Sequence, residues 1–240
     1  MTEPVVVVVG RRFNGPPESA QGGYACGRFA VAARQWLGPE QVVVTLHEPP
    51  PLDVAMVPES SRGRVHFWDR DRLIASVARS HSPIAAPDFA SPSRAAIAED
   101  EYVAAARHPF AGCFVCGPGR LDGLGLAPGL LAPGMTGCRW VPEASLGSGP
   151  DGLVPSEFAW AALDCPGGWT VDLAAAPMVL SRFSAEIVEA PVAGSEYVVV
   201  GRCDTYDSQT LATTTALYRG DGLLTAKAVA RWAALPAAGD

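Results

Sequence analysis

The stretch Gly152-Leu-Val-Pro-Ser-Glu-Phe-Ala-Trp-Ala-Ala-Leu-Asp164 predicts an apolar helix with a single carboxylate at its far end. The residues around Asp164 are aromatic or aliphatic and offer its charge few polar partners. Burying an unpaired charge costs several kcal/mol at least. Asp164 is therefore either a chemically active group or a carboxylate satisfied by local backbone near the next proline, and the residues alone leave both open.

The ends of this helix carry separate signals. Ser156 is a favourable N-cap residue, and Glu157 lies where a negative charge stabilises the first turn. Glu157 is also the only other carboxylate near a predicted helix start, so it is the spare candidate for the site. Pro166 and the two glycines that follow it kink or end the helix just beyond Asp164.

An earlier segment repeats the same plan, which predicts an internal duplication. Its helix opens after Gln21-Gly22-Gly23, runs from Tyr24 through Trp36 and ends at Gly38. Strand signals follow each helix, and their β-branched residues and turn signals are typical of antiparallel hairpins. The predicted strands span residues 5–9, 41–47, 53–58, 64–68 and 73–78 in the first half, and 178–190, 196–206, 210–218 and 223–233 in the second.

One helix against an antiparallel sheet, made twice, predicts an α+β fold in which two curved sheets join edge to edge, each wrapping a central helix. We predict a first unit over residues 1–80, a crossover linker over 81–109 that is helix-prone at 94–107, and a second unit over 110–240. Unpaired edges of such a sheet favour assembly into a homo-oligomer.

Composition narrows the class of protein. With 240 residues, of which 48% are hydrophobic and 18% charged, the chain is long enough to bury a substantial core. A net charge of −7 with scattered basic residues argues against a nucleic-acid partner. No stretch approaches the roughly 20 apolar residues of a membrane span, and the valines at 5–9 are too short a run for a signal peptide. We therefore expect a cytoplasmic protein with no membrane partner.

The cysteines are six in number and irregularly spaced, which indicates reduced thiols rather than a disulfide framework. Cys113 and Cys116 form a Cys-x-x-Cys pair, but no second pair with metal-ligand spacing follows. We therefore expect no metal, and free cysteines that pack as small hydrophobic side chains.

The run Cys113-Phe-Val-Cys-Gly, then Gly-Leu-Gly-Leu126, and further along Gly-Leu-Val and a helix ending in Leu-Asp164 resembles the hotdog-fold acyl-CoA thioesterases. Those proteins introduce the helix with His-Gly-Gly and carry the catalytic Asp or Glu further along it. The resemblance implies a double hotdog fold, because the plan occurs twice. It also implies an active site that lies between two hotdog units and takes groups from both.

Each half matches a different part of the family pattern. In the second half Asp164 falls on the family carboxylate, while Pro155 replaces the His and Ser156-Glu157 replaces the Gly-Gly. In the first half Gln21-Gly22-Gly23 falls on His-Gly-Gly, and Ala30 takes the place of the carboxylate. The resemblance thus implies one complete site and one dead site.

The implied chemistry is hydrolysis of an acyl-CoA or acyl-carrier thioester. Asp164 is the candidate general base or nucleophile, and the backbone amides of Gly23 and Tyr24 are the candidate oxyanion donors at the positive end of a helix. Gln21 either hydrogen-bonds the carbonyl or the water, or caps the helix. We expect no cofactor, with coenzyme A present only as part of the substrate. The candidate substrate-binding residues lie at or near the two helix starts and are Gly22, Tyr24, Glu157 and Trp160.

Two other functions compete with hydrolysis. The replacement of His-Gly-Gly in the second half is also compatible with a non-catalytic acyl-thioester binding or scaffold protein. A carrier-dependent dehydratase or cyclase of hotdog type is disfavoured, because none of the four histidines falls on either helix motif. They are His47, His66, His81 and His108.

Overall fold

The computed structural model describes residues 5–102 and 107–235, and within them it has four helices and ten strands. The helices are α1 (Gly22–Leu37), α2 (Pro92–Asp100), α3 (Ser156–Ala162) and α4 (Cys165–Gly168). The strands are β1 (Val42–Leu46), β2 (Val57–Ser61), β3 (Arg64–Asp69), β4 (Arg72–Arg79), β5 (Gly129–Ala132), β6 (Met135–Trp140), β7 (Met178–Ile187), β8 (Tyr197–Tyr206), β9 (Thr210–Arg219) and β10 (Leu224–Ala234).

All ten strands form one antiparallel sheet in the order β2-β3-β4-β1-β7-β10-β9-β8-β6-β5. The halves join where β1 pairs with β7, with Val44 opposite Phe183. Across this join the Ser184 hydroxyl donates to the Val42 carbonyl at 2.7 Å. The predicted α+β architecture, two antiparallel sheets joined edge to edge, is confirmed.

The strand order repeats outward from the join. It runs β1-β4-β3-β2 on one side and β7-β10-β9-β8 on the other, so each half has the same connectivity relative to its helix. This repetition agrees with the predicted internal duplication. The boundaries at 80 and 110 stay a prediction, although α2 of the predicted linker packs on β5 and β6 of the second half.

Helix α1 ends where the sequence indicates, because Gly38 adopts a φ of 79° and its N–H donates to the Arg34 carbonyl. The second helix breaks around Asp164 as predicted, with α3 ending at Ala162 and α4 following at once. Ser156 was expected to be the N-cap of α3, but it is the first helical residue and Pro155 precedes it without a side-chain cap. That expectation was wrong.

Several predicted strands differ from the structure. The valines at 5–9 form only an isolated bridge between Val7 and Met56 instead of a strand. The strand predicted at 53–58 begins later, at Val57, since Asp53 takes a positive φ of 58° that interrupts extended backbone. Strands β5 and β6 were not predicted, because glycines and a proline mask their alternation. The helix predicted at 94–107 is α2, and residues 103–106 lie outside the described part of the chain.

The core lies between the sheet and the helices, where α1 packs directly against α3. Gly23 and Gly27 of α1 allow this close approach, because a methyl group at either would meet α3 atoms closer than 3.0 Å. The start of one half's helix therefore lies against the end of the other's. Within the described residues, no helix is long and apolar enough to cross a membrane.

Candidate active site

Asp164 lies at the break between α3 and α4, and only 3% of its surface is exposed. The break is fixed from the sheet, because the Thr215 hydroxyl donates to the Leu163 carbonyl at 2.8 Å. Pro166 then starts the short helix α4, as a proline in the first helical turn can. The carboxylate is thus held on a defined backbone rather than on a free loop.

The partners of this carboxylate come from the other half of the chain. The Gly23 N–H donates to Asp164 Oδ2 at 2.8 Å, and Gln21 Nε2 donates to the same oxygen. The alternative in which local backbone near Pro166 satisfies the charge is therefore wrong. Asp164 Oδ1 is buried and has no hydrogen-bond partner within the described residues. The first half of the chain thus holds one oxygen of the carboxylate, and the other oxygen is left without a hydrogen bond among the described residues.

Burial raises the pKa of Asp164 to about 7, against hydrogen bonds from Gly23 and Gln21 that lower it. The nearby Cys113 thiol acts in the same direction as burial. A carboxylate with its pKa in this range is a stronger base than an exposed one and still ionises near neutral pH. The burial that makes this charge costly also makes the group reactive.

Of the two roles considered for Gln21 from the sequence, the structure shows the helix cap, and it adds a contact to Asp164 that was not predicted. Gln21 is the N-cap of α1, where its Oε1 accepts from the Tyr24 N–H at 2.6 Å, while its Nε2 holds Asp164. The expected oxyanion donors, Gly23 and Tyr24, are thus both already occupied, and that expectation is corrected. No partner is found within the described residues for the N–H of Gly22, the preceding first-turn amide. A Cβ on Gly22 would lie 3.4 Å from Asp164 Oδ2.

A cavity of about 410 Å³ opens beside these groups and is built from both halves. Its walls are largely apolar, and no Lys or Arg lies among its described lining residues. Such a volume is within the range of pockets for small ligands. Gln21, Gly22 and Leu46 come from the first half. The second half supplies Asp164, Trp169, Leu173, Met178, Leu180 and Trp232.

Three of the four residues expected to bind substrate lie elsewhere, because of how α1 and α3 pack. The Tyr24 ring stacks on Phe13 with centroids 4.1 Å apart. Glu157 pairs with Arg28 at 4.0 Å. Trp160 is buried against Phe183. Of that set, only Gly22 lines the cavity.

A group of thiols and a histidine on the cavity wall was not predicted from the sequence. Cys113, Cys116 and Cys165 are all buried there, and the Sγ atoms of Cys113 and Cys165 are 3.8 Å apart. His108 Nε2 lies 3.4 Å from Cys116 Sγ. Hydrogen bonds from the other two thiols hold the pKa of the Cys113 thiol well below its usual range. The Cys-x-x-Cys spacing was the only local signal for this group, since Cys165 is remote in sequence.

Known proteins resemble this chain in structure only. No protein-family model matches it, and no curated protein is significantly similar in sequence. A candidate thioesterase from Novosphingobium aromaticivorans superposes with a TM-score of 0.60 at 13% identity, covering 96% of this chain and 95% of that one. The tesB protein of Mycobacterium avium subsp. paratuberculosis has a TM-score of 0.58 at 14% identity, covering 92% and 89%.

A third solved structure, a protein of unknown function with a hot dog fold from Alicyclobacillus acidocaldarius, has a TM-score of 0.54 at 11% identity. It covers 98% of this chain and 97% of its own. Together with the repeated strand order, these similarities show that the chain has a double hotdog fold. The fold implied by the sequence resemblance is thus confirmed. At such low identity the similarity covers the fold and does not extend to the site residues.

Proposed function

We propose that the protein hydrolyses an acyl thioester, either an acyl-CoA or an acyl-carrier thioester, in the cavity between its two halves. The observation that carries this proposal is the buried Asp164, which Gly23 and Gln21 hold at one oxygen and which has no partner at the other among the described residues. The names of two of the structurally similar proteins support the same reaction class.

The reaction needs an activated nucleophile and stabilisation of the carbonyl oxygen. Asp164 Oδ1 either takes a proton from a water that attacks the thioester carbon, or attacks that carbon itself to give an anhydride that water then opens. In both routes the C–S bond breaks, and the thiol and a carboxylic acid leave.

We assign the oxyanion contact to the Gly22 N–H, replacing the amides expected from the sequence. It lies in the first turn of α1, where the amides carry the positive end of the helix dipole, and it lines the cavity. The apolar walls around Trp169 and Trp232 suit an acyl chain. Because no Lys or Arg lies among the described lining residues, we infer that the cavity holds the acyl group and that coenzyme A or carrier phosphates lie outside it.

Hydrolysis of short, medium and long acyl-CoA esters tests the proposal. Loss of the thioester is followed by chromatography, because thiols of the protein itself line the cavity and would react with a thiol reagent. We expect Asp164→Ala and Asp164→Asn each to lower kcat/KM by at least about 100-fold. Glu157→Gln is the matched control, a carboxylate on the same helix that pairs with Arg28 outside the cavity. It should keep wild-type activity.

Equal activity of wild type and both Asp164 variants would overturn the assignment of Asp164. If no ester is hydrolysed but a non-hydrolysable thioester analogue binds, the protein is a binder instead. A single turnover in heavy-oxygen water tests the nucleophilic role of Asp164. Water that opens the anhydride at the Asp164 carbonyl labels Asp164 and leaves an unlabelled enzyme oxygen in the product acid, whereas direct attack by water labels the acid and leaves Asp164 unlabelled.

A further inference from the structure

A pair of neighbouring cysteines and a third that is distant in sequence meet on one wall of the cavity. Cys113 and Cys116 lie on the loop before β5, and Cys165 begins α4. Their Sγ atoms all lie within 4.8 Å of one another, and all three side chains are buried. The other three cysteines, Cys26, Cys138 and Cys203, are not part of this group.

The spacing fits a common metal ion. Zn²⁺ binds thiolate sulfur at about 2.3 Å, so two sulfurs at the tetrahedral angle lie about 3.8 Å apart. The Sγ atoms of Cys113 and Cys165 are 3.8 Å apart. The Cys-x-x-Cys spacing of the first two thiols is also typical of structural zinc sites.

Hydrogen bonds hold the loop that carries two of these thiols. The Gly117 N–H donates to the Cys113 carbonyl at 2.8 Å and closes a tight turn. A Cβ on Gly117 would lie 2.5 Å from that carbonyl oxygen, so only glycine fits there. The guanidinium of Arg120 holds the loop to residues 12–14 through Asn14 Oδ1 and the Arg12 carbonyl. The thiols are therefore held in place by backbone contacts.

Two N–H donors are directed at the sulfurs. The Phe110 N–H donates to His108 Nδ1 at 2.9 Å, which leaves the ring proton on Nε2, 3.4 Å from Cys116 Sγ. Gln21 Nε2 lies 3.7 Å from Cys165 Sγ. Such outer contacts stabilise thiolate charge and orient metal ligands. Within the described part of the chain, neither His108 nor Asp164 belongs to the group of mutually close donor atoms, and a fourth ligand would come from the cavity.

We propose that Cys113, Cys116 and Cys165 bind one thiophilic divalent cation, Zn²⁺, as three thiolates, with the fourth coordination position open to the cavity. His108 is a positioning residue that donates to Cys116. Binding releases the thiol protons to solvent, and no electrons are transferred. This site does not depend on the proposed hydrolysis, because the thiols are brought together by the loop and α4 alone.

Metal titration of the reduced, chelator-treated protein tests the site. We expect one equivalent of Co²⁺ to bind with a sulfur-to-cobalt charge-transfer band, and Zn²⁺ to displace it. Cys113→Ser, Cys116→Ser and Cys165→Ser should each weaken Zn²⁺ binding by at least about 100-fold, the upper end of the loss for an outer contact. Cys203→Ser removes a thiol outside the group and should bind as wild type. His108→Gln should weaken Zn²⁺ binding by about 10- to 100-fold and leave the stoichiometry of binding unchanged.

A second measurement uses only the wild-type protein, so it does not depend on whether the variants fold. X-ray absorption of the Zn²⁺-loaded protein should show three sulfur ligands at about 2.3 Å. A coordination shell of only nitrogen and oxygen, or no charge-transfer band, would refute the site. The site would also be refuted if the reduced protein binds no metal and mild oxidation by a diazene reagent forms a disulfide between two of the three cysteines.

Discussion

Gly23 and Gly27 lie one helical turn apart on α1, at its closest approach to α3, and their replacement by alanine separates packing from site geometry. A Cβ at Gly23 would lie 2.6 Å from Asp164 Cβ and 2.7 Å from the Trp160 carbonyl oxygen. A Cβ at Gly27 would lie 2.7 Å from Glu157 Cα. At both positions α3 backbone atoms are among those met, so a side-chain rotation cannot remove the overlap. Only Gly23→Ala presses on Asp164.

The cost of each change follows from two opposing effects. Overpacking a well-packed contact costs about 1–3 kcal/mol. Alanine in place of glycine in a helix returns about 1 kcal/mol. We expect a net loss of up to roughly 2 kcal/mol in the free energy of unfolding for each variant. In a chain of this size that lowers Tm by up to about 8 °C.

The two variants should differ in hydrolytic activity. Gly23→Ala pushes the carbon that carries the carboxylate and displaces its N–H donor, and a misplacement of about 1 Å can cost 100-fold in rate. We expect kcat/KM for thioester hydrolysis to fall by about that factor in Gly23→Ala and to change little in Gly27→Ala. Thermal melts and the acyl-CoA assay on both variants give the answer. Equal activity with equal loss of stability would refute the link between the α1–α3 contact and the placement of Asp164.

Two further predictions concern the same carboxylate. Burial raises the pKa of Asp164 to about 7 in the folded protein, against 3.8 for the unfolded chain. In the chelator-treated wild type, the protonated carboxyl group therefore adds up to about 4 kcal/mol to the free energy of unfolding below pH 3.8. This contribution is lost as the pH rises to about 7. Asp164→Asn should not show this loss of stability with rising pH. Denaturant unfolding of both proteins at a series of pH values measures the difference, and the same pH dependence in both proteins would contradict the prediction. Gln21→Glu keeps an acceptor for the Tyr24 N–H but removes the donor to Asp164. It should lower kcat/KM by roughly 10- to 100-fold, and wild-type activity would show that the contact does not orient the carboxylate.

The local features of the site were predictable because short-range rules govern them. The Gly22-Gly23 pair was expected at the start of a helix, and Pro166 was expected to break the second helix near Asp164. Both occur in the structure. The repeated order of helix and strands was visible for the same reason, since hydrophobic periodicity and turn residues act within a few positions. Strands β5 and β6 escaped because glycine and proline weaken that periodicity.

The sequence resemblance implied a site shared by the two halves, but the individual contacts could not be predicted, because they depend on how α1 meets α3. The expectation that the Gly23 N–H stabilises an oxyanion rested on that resemblance and on its place at a helix start. Only the packing shows that Asp164 already accepts from it. The thiol group was missed for the same reason. In the sequence Cys165 is only the residue after Asp164. Its approach to Cys113 depends on the break between α3 and α4, which brings the two cysteines together.

The duplication accounts for the single pairing of a glycine amide with a carboxylate in the proposed site. Asp164 can accept from Gly23 only because a glycine amide of one half lies against the helix end of the other. At the equivalent positions of the opposite pairing, Ala30 offers no carboxylate and Glu157 is committed to Arg28. The same contact that brings the two helices together thus supplies a donor and an acid from different halves. A chain with two fused halves can lose the glycine or the carboxylate of the second pairing and still keep the first pairing. Each half then supplies only one part of the proposed site.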